Sequence, residues 1–161
     1  MEAQYLAVPI ASNAVVEVAL ASGTKTVLQV KPVTQDLVIC GWAIESDGGS
    51  AGAPAIVELI DVDVAATVTT LTAQLWASPD LQAARAVGGT AATGYNASAE
   101  GTVTASRYID GTELRPDGDK YVMWFPYGQQ PRIAAGRFLR IRTVYTATSV
   151  NVIPKIWFGE G

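Results

Sequence analysis

The chain has 161 residues, of which 49% are apolar and only 16% charged, and its formal net charge is −4. That length suits one domain burying about 70% of the surface of its unfolded chain. The acidic balance argues against a nucleic-acid partner, which needs a basic surface to neutralise phosphates. No stretch reaches the ~18 unbroken apolar residues of a membrane-spanning helix.

Abundant Thr, Val, Ala and Gly favour an all-β protein with many turns. The chain contains no histidine and one cysteine, Cys40. Histidine-dependent nucleophile activation, histidine-based metal sites and an intrachain disulfide are thereby excluded. Low charge on a small body points to a surface partly covered by other subunits. The N-terminus lacks the basic start of a secretory signal, so the product is expected to be soluble and made in a cytoplasm.

In chain order, residues 4–10 read as a first extended segment ended by Pro9 and a turn at Ser12-Asn13. Val16, Val18 and Leu20 share a strand face by their period of two, and residues 25–30 are expected to pair with them as a hairpin. Residues 37–45 contain almost no polar side chain, the pattern of a strand buried on both faces, with Trp42 its bulkiest member. After the flexible 47–52 connection, residues 55–61 form the next strand and are expected to complete a second hairpin. The Gly-rich 48–52 run lacks the Lys-Ser/Thr ending of a phosphate loop.

The Thr-rich 62–75 stretch reads as strand. Ser78 as N-cap and Pro79 at the first position predict a short helix over 78–85. Residues 88–101, rich in Gly, Ala, Thr and Ser, read as a long excursion of the functional or mobile kind. Strand character resumes at 102–109, and Arg115-Pro116-Asp117-Gly118-Asp119 is a turn.

The aromatic stretch 121–127 places Tyr121, Met123, Phe125 and Tyr127 on one face and Val122 and Trp124 on the other. In 137–145, Leu139, Ile141 and Tyr145 share one face, and Arg140 and Arg142 the other. Val150, Val152 and Ile156 alternate with Asn151, Ile153, Lys155 and Trp157 in the last strand. About eight to ten short strands so spaced predict a single antiparallel β-sandwich over 1–161, jelly-roll-like with one short helix; an immunoglobulin-like sandwich is the alternative.

Few residues offer chemistry. Asp61 and Asp63, roughly 7 Å apart along one strand face, have the spacing of a glycosidase pair, though a solvated strand end is the favoured reading. Asp110, Asp117 and Asp119 lack the dense alternation of a calcium loop. The sequon Asn96-Ala97-Ser98 carries no information without a signal peptide. No catalytic residue, cofactor or metal is expected.

Residues 99–107, Trp124-Phe125-Pro126-Tyr127-Gly128, residues 136–142 and Val150-Asn151-Val152-Ile153-Pro154 resemble head decoration, or cement, proteins of tailed bacteriophages, which have jelly-roll-like folds. The resemblance covers mainly residues 95–158 and contains no catalytic or ligand signature. It implies a non-enzymatic virion protein on the capsid exterior, often a homotrimer, that clamps neighbouring subunits of the major capsid protein. The family shares no fixed functional residues to carry over. The candidate interface is the N-terminal Tyr5 and Leu6, the loop around Tyr95 and Asn96, Trp124, and the Arg140/Arg142 face. The alternatives are a carbohydrate-binding module using Trp124, Tyr121 or Tyr127 as stacking platforms, and a phage tail or fibre domain.

Overall fold

The computed structural model describes residues 3–48, 53–75, 92–146 and 150–160. Its strands are β1 (Tyr5–Ala7), β2 (Ile10–Ala11), β3 (Ala14–Val15), β4 (Val18–Ala19), β5 (Gly23–Val30), β6 (Leu37–Ser46), β7 (Ala55–Val62) and β8 (Thr67–Thr70). They continue with β9 (Gln74–Leu75), β10 (Gly94–Ala99), β11 (Ser106–Leu114), β12 (Lys120–Trp124), β13 (Arg132–Ile133), β14 (Phe138–Tyr145) and β15 (Asn151–Glu160). No described residue is helical, and the helix expected over 78–85 lies outside the described residues.

A seven-stranded sheet runs β12-β6-β15-β1-β9, with β13 also on β6 and β4 on β15; a six-stranded sheet runs β11-β7-β14-β5-β10-β8. All pairings between these strands are antiparallel. Eight of the strands pair in nested fashion: β1 with β15, β5 with β14, β6 with β12 and β7 with β11. A small separate hairpin, β2-β3, turns through Ser12 and Asn13, both at positive φ, the geometry of a tight two-residue turn.

Both sheets contribute to one core, with Trp42, Ile44, Ile156 and Phe158 from the first and Leu28, Leu59, Leu139 and Ile141 from the second. Each large apolar side chain so buried contributes about 1.5–3 kcal/mol. Strand β6 is buried along nearly its whole length, as its unbroken apolar run predicts. A bulge at Cys40 interrupts it: Trp157 pairs with Gly41 but Phe158 with Ile39, so one residue of β6 is extra. The inward parity switches there, from Leu37 and Ile39 to Trp42 and Ile44.

Asp110 ties the layers together. Strand β11 has its own irregularity between Tyr108 and Asp110, and the Asp110 carboxylate accepts hydrogen bonds from Trp42 Nε1 and the Tyr121 hydroxyl, each at 2.9 Å. Both donors belong to the opposite sheet.

Both expected hairpins are corrected. Strand β4 pairs with β15, while β5 lies between β14 and β10 in the other sheet. Likewise β6 and β7 fall in different sheets. Neighbouring strands pair only about two-thirds of the time, and alternation fixes a strand's buried face without naming its partner. Within the expected 88–101 excursion, residues 94–99 form β10, which sits against Thr69 so closely that a Cβ on Gly94 would lie 2.1 Å from the Thr69 carbonyl oxygen.

Candidate interaction face

The outward face of the seven-stranded sheet carries an apolar row at a single register. Leu6 on β1 lies opposite Trp157 on β15, Trp157 opposite Gly41 on β6, and Gly41 opposite Trp124 on edge strand β12. Gly41 makes the row possible: a Cβ there would meet Trp124 Cε3 at 2.7 Å. With no side chain in the way, the Trp124 indole leans across β6 onto Trp157, with ring centroids 4.7 Å apart and planes at 36°. Trp157 is 8% exposed and Trp124 is 51% exposed. The pair is an aromatic ledge, buried at its base and open at its edge.

The next register step extends the surface. Val122 on β12 pairs with Ala43 on β6, which pairs with Lys155 on β15; Val122 is exposed. Cys40, Ala43 and Trp157 form a small outer cluster with Ala3 and Leu6 against it. Burial pushes the Cys40 thiol up, which favours its protonated form. Lys155 pairs with Glu45 at 3.5 Å. A shallow depression of about 200 Å³ lies between Trp157, Val122, Ile153, Lys120 and Lys155. The face therefore combines an apolar centre with a charged rim, the anatomy of a protein contact.

Of the residues expected at an interface, Leu6 and Trp124 lie on this face. Tyr5 is instead buried, stacked on Phe158 at 5.5 Å, and Tyr95 is likewise a core residue. Tyr5 sits on the inward side of β1 because its neighbour Leu6 takes the outward one. Asn96 is exposed but belongs to the other sheet, at φ 54°.

Arg140, expected on a solvated or partner-facing surface, is fully buried. It does point away from the shared core, as its alternation with Leu139 and Ile141 requires, but the chain around Val64 and Glu100 covers it. Its guanidinium donates to Gln29 Oε1 at 3.1 Å, to the Glu100 carboxylate at 3.2 Å, to the Glu100 carbonyl at 3.1 Å and to the Val64 carbonyl. Burial lowers its pKa and Glu100 raises it again. Glu100 also accepts from the Thr26 amide and hydroxyl. Arg142 is half-buried and paired with Glu58 at 2.8 Å. The basic strand face is thus a set of internal ion pairs.

The carboxylates weighed for acid–base chemistry are similarly engaged. Asp61 is held between Arg137 at 2.8 Å and Arg107 at 3.1 Å. Asp63 accepts from the Thr104 hydroxyl and the Thr104 and Ala105 amides, which hold its carboxyl at about 2. Asp119 accepts from the Arg115 and Lys120 amides within its turn. Among the described residues no cluster of acidic or cysteine side chains could hold a metal ion.

Trp157 and Gly41 complete the row, and Val122 extends it, without having been singled out as interface residues. Each had a signal. Trp157 alternates with the inward Val152 and Ile156, and an isolated glycine in a strand often marks a close approach. The chain matches no protein-family model, no curated protein and no solved structure.

Proposed function

We propose that this chain is a non-catalytic virion protein, a capsid decoration or cement protein of a tailed phage that binds the outside of the major capsid protein shell as a homotrimer. It would be made in the host cytoplasm and reside on the capsid exterior. The observation that carries this reading is the outward apolar row of Leu6, Trp157 and Trp124, with an indole half-exposed on a sheet face. An exposed apolar patch with a charged rim marks a contact surface.

The fold assigned in this proposal is a jelly roll. Its support is the nested pairing, in which β1-β15-β6-β12 form one four-stranded path and β5-β14-β7-β11 the other. That is the order obtained by rolling one long hairpin into two sheets, an architecture shared by viral capsid and lectin domains. The partner comes from the resemblance of residues 95–158 to cement proteins. The lack of histidine and the structural ion pairs of Asp61 favour a binding role over a catalytic one. Symmetry-related copies on a shell would multiply modest individual contacts through avidity.

Light scattering on the purified chain, before and after mixing with empty mature capsids of the encoding phage, tests the reading. A trimer that moves into the capsid fraction is expected. A monomer that stays in the supernatant would overturn it.

A further inference from the structure

Between β12 and β13 the chain leaves the sheet edge and returns, and both ends of the excursion are fastened to β6. The Phe125 amide donates to the Cys40 carbonyl and the Ile39 amide to the Pro131 carbonyl, each at 2.9 Å. A turn bond from the Gln129 amide to the Pro126 carbonyl closes the middle at 2.9 Å, and Gly128 supplies the positive φ of 82°. Pro126 and Pro131 further restrict the backbone. The loop is thus built to hold one shape, which lowers the entropic cost of binding.

This loop displays Tyr127, whose 84% exposure is the highest of the large apolar and aromatic side chains described. Beside it lies a depression of about 240 Å³ lined by Val38, Tyr127, Gly128, Gln130 and Arg132. Arg132 has its carbonyl held by Arg107 Nη2 at 2.5 Å, which anchors its backbone. Its guanidinium differs from those of Arg107, Arg137, Arg140 and Arg142, each of which has a carboxylate partner. Among the described residues, Arg132 has none. An unclaimed guanidinium and an exposed phenol ring therefore flank this hollow.

We propose that this hollow binds a carboxylated sugar of the uronic-acid class. The pyranose C–H face stacks on the Tyr127 ring, and the Arg132 guanidinium takes the carboxylate through paired charge-assisted bonds. The hollow lies on the same outward sheet face as the Trp124–Trp157 row, beside Val38 of β6, but shares no residue with it, so a sugar titration of the free chain tests it apart from the capsid reading.

The test is a titration of the purified full chain with D-glucuronate, D-glucose and acetate, followed by backbone amide and tyrosine-ring NMR shifts. Glucuronate should move the Tyr127, Gly128 and Arg132 signals and bind about tenfold more tightly than glucose, the contribution of a charge-assisted contact. Arg132→Gln should remove that preference, and Tyr127→Ala should abolish binding of both sugars. Both side chains are exposed, so the fold is expected to survive, and unchanged amide dispersion elsewhere verifies it. No shifts at residues 127–132 with either sugar would overturn the proposal. Acetate binding as tightly as glucuronate would do the same, by reducing the site to a simple anion contact. So would a glucuronate preference that survives Arg132→Gln.

Discussion

Trp124 rests on Trp157 with 4.7 Å between ring centroids, and it reaches there over the bare backbone of Gly41. The contact therefore depends on a third strand that contributes no side chain to it. Trp124→Ala should leave a folded protein, cost about 1–2 kcal/mol of stability, and reduce capsid occupancy. Gly41→Ala keeps both rings but drives a methyl into Trp124 and against the Met123 carbonyl, so it should also reduce occupancy, with a stability cost of about 1–3 kcal/mol. Urea denaturation and co-sedimentation with capsids measure the two effects. Full occupancy by both variants would remove this face from the contact.

Arg140 and Arg142 lie two residues apart on β14 and should behave very differently. Arg140→Ala leaves the Glu100 carboxylate and the Val64 carbonyl without their cation, a loss of about 3–5 kcal/mol for a broken buried pair. Arg142→Ala removes a half-exposed pair with Glu58 and should cost under about 1 kcal/mol. Equal costs in chemical denaturation would contradict the burial difference.

Asp110 joins Trp42 and Tyr121 across the two layers. Asp110→Ala strands the indole N–H of the fully buried Trp42 and should cost about 1–3 kcal/mol. Burial, followed by the hydrogen bond and charge of Asp110, pushes the Tyr121 hydroxyl up to about 12. Because the folded value lies above the ordinary one of 10.0, the folded state holds this proton longer than the unfolded state. The associated stability is complete below the ordinary value and is lost as pH rises towards 12. Ultraviolet titration should show a tyrosine ionising near 12 that is absent in Tyr121→Phe.

Asp63 gives the opposite sign. Its carboxyl is held at about 2, first by the Thr104 hydroxyl and then by the Ala105 amide. Its contribution is present above the ordinary value of 3.8 and is lost as pH falls towards 2. Carboxyl-carbon NMR should place the Asp63 midpoint near that value, and Thr104→Val should raise it. A midpoint unaffected by Thr104→Val would show that the hydroxyl contributes nothing.

The strands were legible where a single period governs them. Tyr121, Met123 and Phe125 turn inward and Val122 and Trp124 outward, as alternation requires, whereas Tyr127, expected on the inward face, lies beyond the end of β12 and is exposed; β14 turns Leu139 and Ile141 inward. Alternation could not reveal that the far side of Arg140 is roofed by chain from Val64 and Glu100, because that cover comes from tertiary structure. Nor could it choose partners for β5 and β6. Each pairs with strands distant in sequence, and the attractive local hairpins leave no mark in the pattern that distinguishes them from nested pairing. The bulge at Cys40 was hidden for a related reason: within an all-apolar run, a change of inward parity alters no letter class.

Electron cryomicroscopy of the encoding phage, with side-chain resolution on the shell, tests the central claim most directly. The account predicts trimeric density on the capsid exterior with the Leu6–Trp157–Trp124 row turned against the major capsid protein. Density for this chain in the tail alone, or on the capsid with that row facing solvent, would contradict it.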